Sequence, residues 1–263
     1  MMNNVDPFAE TNLDNGFDFE GSEAAIPEVS EPELQTSLGS RTAPRGQYEQ
    51  IASRRITWKS NKKAFESYNS ESKESKIVPA NIEFIPLTAT VSVTGSRPMG
   101  KKGTPSEHYN NITSNEITDL NSELMIVKER DYYEDRTDEV CKGYYSNSMT
   151  QADGSVLPPV KEVIANLPYA NYTMNIYCVV RNTEDIVKFA FTKASRQAGF
   201  DINNNMTGKA FKLKEAVEVN NGGIVYYTPS IEFIDITPDE DAKATDIAIK
   251  VEEKLKRNKA RVS

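Results

Sequence analysis

Two neighbouring segments that alternate apolar and polar residues constrain the fold of this chain most strongly. The first segment, residues 171–180 (NYTMNIYCVV), has apolar side chains at every second position, which places these on one face: Tyr172, Met174, Ile176, Cys178 and Val180. A polar turn (RNTED) follows, and residues 186–192 (IVKFAFT) return the chain. Period two indicates β-strands, and the short polar connection predicts an antiparallel hairpin.

Similar patterns elsewhere predict a mainly β chain. Further strands are expected at 87–94, 123–130, 139–145, 209–219 and 224–236. Pro229 cannot donate a hydrogen bond to a neighbouring strand, so it predicts an edge or a bulge. A short helix is expected between Pro159 and Pro168, and a C-terminal helix from about Pro238. The segment 67–76 (SYNSESKESK) is typical of a linker, and the stretch after residue 192 is expected to be irregular.

About six strands, with one helix between them and one helix after them, predict a mainly β chain with helices, of the α+β class. The phosphate-binding patterns GxGxxG and GxxxxGK[ST] do not occur in the sequence. We therefore expect an open antiparallel barrel like the oligonucleotide-binding (OB) fold, with a disordered acidic N-terminal tail and a C-terminal helix. The expected domains are the tail at 1–45, an OB-like nucleic-acid-binding domain at 46–240 and a basic helix at 241–263. Residues 46–110 belong to the barrel or form a separate lobe.

Charge is distributed very unevenly along the chain. Residues 1–40 contain nine acids and no Lys or Arg, although the whole chain has a net charge of only −8. Low hydrophobicity and charge of one sign predict disorder there. Phe8, Phe17 and Phe19 are embedded among these acids and are candidates for docking on replication proteins; the alternative is a solvating tail with incidental aromatics.

A basic segment follows the tail and contains the single tryptophan. Residues 51–63 (IASRRITWKSNKK) carry five cations and no acid, with Trp58 among them. Cations beside an exposed aromatic ring suit a phosphate backbone and an unstacked base. The alternative is a solvated basic segment whose Trp58 packs in the core.

Adjacent tyrosines and strand lysines extend this pattern into the body of the chain. In a strand, adjacent residues face opposite sides, so one tyrosine of each pair can be exposed. Lys188 and Lys212 are flanked by apolar residues and should point away from the core. The candidate nucleic-acid-binding residues are Arg54, Arg55, Trp58, Lys59, Lys62, Lys63, Lys142, Tyr144, Tyr145, Lys188, Lys212 and Lys214.

Catalytic and metal chemistry has little support in the sequence. Cys141 and Cys178 are far apart, and His108 is the single histidine, so a His/Cys zinc site or a Ser–His pair would lack members. An acidic stretch offers candidates for a divalent metal, although a solvated turn is the favoured interpretation: Asp131, Glu134, Asp135, Asp138 and Glu139. We predict no enzyme activity, no cofactor and no metal.

No apolar run is long enough for a membrane span or a signal core, which predicts a cytoplasmic protein with no membrane partner.

Five segments follow one another in an order that carries a family resemblance. They are TSNEI (113–117), KGYYS (142–146), NYTMNIYCVV (171–180), IVKFAFTKASRQAGF (186–200) and YYTPSIEF (226–233). In this order they resemble the single-stranded DNA-binding proteins of bacteriophages. The resemblance implies an OB-fold replication protein that coats and protects unwound strands during viral replication or recombination, located in the bacterial host cytoplasm.

The expected function is therefore sequence-tolerant binding of single-stranded DNA, by base stacking on aromatic rings and phosphate contacts from Lys and Arg. The alternative from another class is a viral structural or assembly protein with a disordered arm and no nucleic-acid groove. The sequence leaves open the site size, cooperativity, oligomeric state, the preference for DNA or RNA, and the role of the tail.

Overall fold

The structure, a computed structural model, describes residues 50–96, 111–129, 137–167 and 169–260. These residues belong to one compact unit, Glu49–Ser263. The described strands are β1 (Arg54–Lys59), β2 (Ala64–Asn69), β3 (Ser75–Ile77), β4 (Glu83–Ser96), β5 (Asn111–Ser114), β6 (Glu123–Glu129), β7 (Thr137–Lys142), β8 (Met149–Thr150), β9 (Val156–Leu157), β10 (Asn171–Val180), β11 (Ile186–Thr192), β12 (Lys209–Asn221) and β13 (Ile224–Asp235). The helices are α1 (Val160–Ala165), α2 (Arg196–Asn203) and α3 (Pro238–Ala260), and a 3-10 turn at Lys193–Ser195 precedes α2.

Eleven of the described strands form one open, mostly antiparallel sheet. Its order is β3-β2-β1-β11-β10-β4-β5-β6-β7, and β12 joins the beginning of β4 with β13 on its outer side. Strands β1 and β11 run parallel, whereas every other described pair in this sheet is antiparallel. Because β1 to β4 lie in this sheet, residues 50–96 are part of the body and form no separate lobe.

Strand β4 joins the two halves of the sheet and contains an irregularity at a proline. Its first residues pair with β12 and its last residues pair with β5, while β10 runs along its other side. The pairing with β10 shifts register between Thr88 and Pro86. Proline has no N–H to donate, so a bulge at this point removes the need for one hydrogen bond.

The long hairpin of β12 and β13 contains a second bulge opposite a proline. Lys214 pairs with Ser230 and Val217 pairs with Thr228, so two residues of β12 oppose Pro229. Strand β13 also pairs with no described strand other than β12. The prediction that Pro229 marks an edge or a bulge is therefore confirmed in both senses.

Aromatic rings fill the centre of the core. Phe189 contacts Phe84, Phe211 and Phe65 edge to face, with ring centroids 4.9 to 5.5 Å apart, and stacks on Phe191 at 5.7 Å. Helix α2 covers this layer, and an added Cβ on its Gly199 would lie 3.0 Å from the Phe191 side chain. Glycine therefore lets α2 approach the sheet closely.

Helix α3 closes a second core on the opposite face of the sheet. Its Ala244 and Val251 are buried in one cluster with Ile85, Leu87 and Val179 of the sheet. The predicted boundary at residue 240 falls within α3, which packs on the body as part of the same unit.

The predicted fold class is confirmed at the level of a mainly β chain with helices, an open antiparallel sheet and a C-terminal helix. The strands at 171–180 and 186–192 have the predicted bounds, and α3 begins at Pro238 as expected. Three expectations were wrong. Thirteen strands are described where about six were expected, the linker-like segment forms parts of β2 and β3, and the irregular stretch after residue 192 contains α2.

The expected acidic tail, the loop after β4 and the acidic stretch 130–136 lie outside the described residues.

Candidate nucleic-acid interface

The strand register divides the central sheet into two faces of different chemistry. On the core face, Ile56 of β1 pairs with Phe189 of β11, and Phe189 pairs with Ile176 of β10; all three are fully buried. Directly paired residues share a face, and the next residue along each strand faces the other side. The opposite face, which we call the polar face, carries Thr, Ser, Asn, Lys and Arg side chains from β4, β10, β11 and β1. The same face also carries Ile85, Leu87 and Val179, and this apolar part of it is covered by α3.

One line of directly paired residues crosses the polar face over four strands. Tyr177 of β10 pairs with Lys188 of β11, Lys188 pairs with Arg55 of β1, and Arg55 pairs with Tyr68 of β2. We call these four residues the cross-strand row. Neighbouring strands are about 4.8 Å apart, so the row is roughly 14 Å long. It places two cations between two aromatic rings.

Exposure increases along the row from Tyr177 to Tyr68. Tyr177 is 4% exposed, whereas Tyr68 is 43% exposed and Arg55 is also exposed. Among the described residues, Arg55 forms no ion pair and Tyr68 has no ring or hydrogen-bond partner. The outer half of the row therefore offers one cation and one aromatic face to a ligand.

The inner half of the row is held by Glu116. Its carboxylate accepts hydrogen bonds from Thr90 at 2.8 Å and from the Tyr177 hydroxyl at 2.9 Å, and it forms an ion pair with Lys188. Burial works to raise the pKa of Glu116, but the Lys188 ammonium and the hydrogen bonds outweigh it and hold the pKa below its ordinary value. Burial and the neighbouring Glu116 carboxylate raise the pKa of Tyr177. Lys188 is thus positioned with its charge balanced.

The turn between β1 and β2 adds lysines beside the row. Lys59 and Lys62 both pair with Glu66, at 3.6 and 2.5 Å. Lys59 and Glu66 lie on the polar face with Arg55, because they are two or four residues from members of the row in their strands. Exposed ion pairs of this kind contribute little net stability, so a phosphate can replace the carboxylate at low cost.

Trp58 faces the core side, away from Arg55 and Lys59. Its ring packs edge to face on Phe65 with centroids 5.2 Å apart, and its indole N–H donates to the Tyr227 carbonyl at 3.1 Å. Lys63 lies 3.8 Å above the centre of the Tyr227 ring. These two predicted site residues therefore hold the β12–β13 hairpin against the β1–β2 turn.

Three predicted residues lie in another part of the sheet. Lys142 pairs with Glu123 at 3.7 Å, and the Tyr144 hydroxyl donates to Asn121 at 3.1 Å. Tyr145 packs on Tyr172 with centroids 5.3 Å apart. The Arg196 guanidinium lies 4.2 Å from the centre of the Tyr145 ring, which is within cation–π distance. These residues form a packing cluster near α1 and do not join the cross-strand row.

The remaining predicted cations pair with carboxylates elsewhere. Lys212 and Lys214 share Glu232 at 3.4 and 2.7 Å, and Arg54 lies 4.0 Å from Asp185. The structure therefore brings Arg55, Lys59, Lys62 and Lys188 together on the polar face and leaves the other eight predicted residues outside that group.

Sequence reasoning missed Tyr68, Tyr177 and Glu116. Tyr68 lies in the segment interpreted as a linker, and Glu116 lies outside any strand, directly before Ile117, which forms an isolated bridge with Val91. The alternation in β1 carried a usable signal, since Ile56 and Trp58 alternate with Arg55, Thr57 and Lys59. That pattern separates Trp58 from the cations that flank it.

The cysteines, the histidine and the acidic stretch were the residues considered for catalysis or metal binding. Cys141 and Cys178 are buried free thiols, and burial, aided by Glu139, raises the pKa of Cys141 to about 11. His108 and the acids at 131–135 lie outside the described residues, as does the side chain of Asp138. Within the described ranges, no three His, Cys, Asp or Glu residues form a group suited to a metal ion. No helix in the same ranges combines the length and apolar character needed to cross a bilayer.

Comparison of the chain with protein-family models, with curated proteins and with solved structures found no match. The resemblance to phage single-stranded DNA-binding proteins therefore stays a prediction.

Proposed function

We propose that this chain is a non-enzymatic single-stranded DNA-binding protein that coats and protects unwound strands during viral replication or recombination. The observation that carries the proposal is the cross-strand row, in which Arg55 and Lys188 lie between Tyr68 and Tyr177 on one sheet face. Cations for phosphates and an exposed ring for a base are the two elements of sequence-tolerant binding to a single strand.

The division of roles within the row supports this proposal. Tyr68 is the exposed ring, and a stacked base contributes about 1–3 kcal/mol in such sites. Arg55 is directly paired with Lys188 on the adjacent strand, and since Lys188 is paired with Glu116, Arg55 is the cation of the row that is available to a phosphate. Lys59 and Lys62 extend the cationic region past Glu66. A duplex hides its bases, so Tyr68 gives an advantage only with a single strand.

The proposal extends to partners and place in the cell. The acidic segment 1–40, with Phe8, Phe17 and Phe19, would dock on replication proteins that carry a basic groove. The protein would act in the cytoplasm of a bacterial host, without a cofactor.

Fluorescence anisotropy of a labelled dT30 oligonucleotide, beside a duplex of equal length, tests the function. We expect preference for the single strand and affinity that falls with salt. One phosphate contact, from Arg55, predicts a slope of log K against log salt of about −0.7, and a phosphate that takes the place of Glu66 beside Lys59 would make the slope steeper. Equal binding to the duplex, or no binding to either ligand, would reject the proposal.

A viral structural or assembly protein is the second candidate. One observation favours it: one side of the end of the β12–β13 hairpin exposes two apolar side chains, with Val217 at 50% and Ile224 at 70%. Exposed apolar residues grouped in this way mark a protein contact. Failure to bind dT30, together with assembly into large particles at high concentration, would favour this candidate.

A further inference from the structure

We infer that the outward face of the β12–β13 hairpin is a contact between copies of this chain. The inference goes beyond the proposed function and does not rest on it. It concerns the part of the hairpin beyond the bulge at Pro229, which we call the ribbon and which comprises residues 217–221 of β12 and 224–228 of β13.

The register divides the ribbon into two sides. Val217 pairs with Thr228, Val219 pairs with Tyr226, and Asn221 pairs with Ile224. These six residues share one side, because they occupy alternate positions of both strands. The other side carries the pairs Glu218–Tyr227 and Asn220–Val225.

The second side is fastened to the β1–β2 turn at Tyr227, while Val225 on the same side is 51% exposed nearer the end of the hairpin. The Tyr227 carbonyl accepts hydrogen bonds from the Trp58 indole at 3.1 Å and from the Ser60 hydroxyl at 3.0 Å. Lys63 covers the Tyr227 ring, and the Tyr227 hydroxyl donates to Glu218 at 2.7 Å. The ribbon is therefore held at Tyr227, with its first side turned away from the β1–β2 turn, which we call outward.

The outward side is uncharged and mostly apolar, with Asn221 and Thr228 as its polar members. Val217 and Ile224 are 50% and 70% exposed, while Val219, Tyr226 and Thr228 are partly exposed between them. Scattered exposed apolar residues need no explanation, but a continuous line of them on one side of a hairpin indicates a docking surface. We call this line of five residues the apolar stripe.

The charge of the ribbon and of the whole chain favours a second copy of the chain as the partner that binds the apolar stripe. From Glu215 to Ser230 the sequence holds two acids and no Lys or Arg, so a nucleic acid or an anionic membrane finds no complementary charge there. Copies of a chain with a net charge of −8 repel each other, and a two-fold interface places each residue against the same patch of its copy. An uncharged apolar patch meets both conditions, because it places no like charges together.

The small number of residues in the apolar stripe indicates that this contact is weak. Stable interfaces bury about 800 Å² on each partner and involve 20 to 30 residues a side, whereas the apolar stripe has five. We therefore expect a monomer at low concentration and reversible association as concentration rises.

Sedimentation velocity of the full chain, from about 5 to 500 μM, tests the inference across the range expected for a weak contact. We expect the weight-average sedimentation coefficient of the wild type to rise with concentration. The double variant Val217→Ser, Ile224→Ser should weaken association at least tenfold, because each lost side chain counts twice across a two-fold axis. Val156→Ser combined with Ile249→Ser is the matched control, since those residues are 61% and 52% exposed elsewhere.

The control variant should associate as the wild type does, and circular dichroism establishes that both variants are folded. A wild type that stays monomeric over the whole range would overturn the inference. Association that is equal in the wild type and the Val217→Ser, Ile224→Ser variant would also overturn it, by placing the contact elsewhere. Neither result depends on whether the chain binds DNA.

Discussion

The sequence allows two interpretations of Trp58, a base-stacking platform or a core residue, and the structure supports the second. Its cationic neighbours suggested a stacking platform, but its ring contacts Phe65 and its indole N–H bonds to Tyr227. Through these two contacts Trp58 holds the β12–β13 hairpin against the β1–β2 turn.

Trp58→Ala should therefore destabilise the fold. A half-buried tryptophan that loses its ring contact and one hydrogen bond should cost about 2–3 kcal/mol, below the range for a fully buried one. Urea denaturation followed by circular dichroism measures the change, with Trp58→Phe as the milder variant. An unchanged free energy of unfolding together with weaker dT30 binding would instead identify Trp58 as a platform.

Glu116 is the residue on which the inner row depends. Its carboxylate joins Lys188, Tyr177 and Thr90 in one network on the polar face. Glu116→Gln should lower the free energy of unfolding by about 1–3 kcal/mol, because the Lys188 charge loses its partner in a largely buried setting.

A double-mutant cycle with Lys188→Met separates this pairing from simple loss of packing. We expect the two changes to be strongly non-additive, since removing both partners leaves no unpaired charge. Additive losses in urea denaturation would show that the ion pair contributes nothing.

At the scale of elements, the capping of α3 ties the helix to the sheet. Thr237 and Glu240 form reciprocal hydrogen bonds at the helix start, with the Thr237 N–H donating to Glu240 at 2.9 Å. Arg181, just after β10, donates two hydrogen bonds to Glu240 at 2.7 and 3.0 Å and one to Glu83 at 2.6 Å. The Arg181 hydrogen bonds and those of Thr237 hold the pKa of Glu240 at about 2.

This shift predicts a pH dependence of stability. The pKa of Glu240 is lowered on folding from its ordinary value of 4.5, so the stability that Glu240 contributes is present above about pH 4.5 and is lost as pH falls toward 2. Melting temperatures of the wild type and Glu240→Gln, measured between pH 7 and pH 2, should differ at neutral pH and converge in acid. A constant difference across that range would contradict the account.

Elements with strong alternation could be predicted, whereas elements that depend on distant partners could not. Residues 171–180 and 186–192 carry apolar side chains on the core face, and their bounds were predicted from that pattern alone. Strands β2 and β3 lie at an edge of the sheet, where polar residues such as Tyr68 and Ser75 face outward and leave little apolar signal. The row itself depends on the parallel pairing of β1 with β11, which joins residues more than a hundred positions apart.

At the scale of the whole molecule, the acidic segment 1–40 should compete with DNA. It carries nine acids and no base, whereas residues 46–110 hold ten bases against six acids. Deletion of residues 1–40 should tighten binding to dT30 at low salt and have less effect at high salt, because screening weakens the competition. Unchanged affinity at low salt would show that the segment does not compete.

The central claim is that the cross-strand row binds the single strand, and one comparison of variants tests it most directly. Anisotropy titrations of dT30 would compare Arg55→Ala, Tyr68→Ala with Lys161→Ala, Tyr169→Ala, a matched pair in which Lys161 is exposed and Tyr169 is 40% exposed elsewhere on the molecule. The account predicts that the first variant weakens binding, with Tyr68 alone worth about 5- to 150-fold, while the second binds as the wild type does. Equal affinity of the two folded variants for dT30 would contradict it.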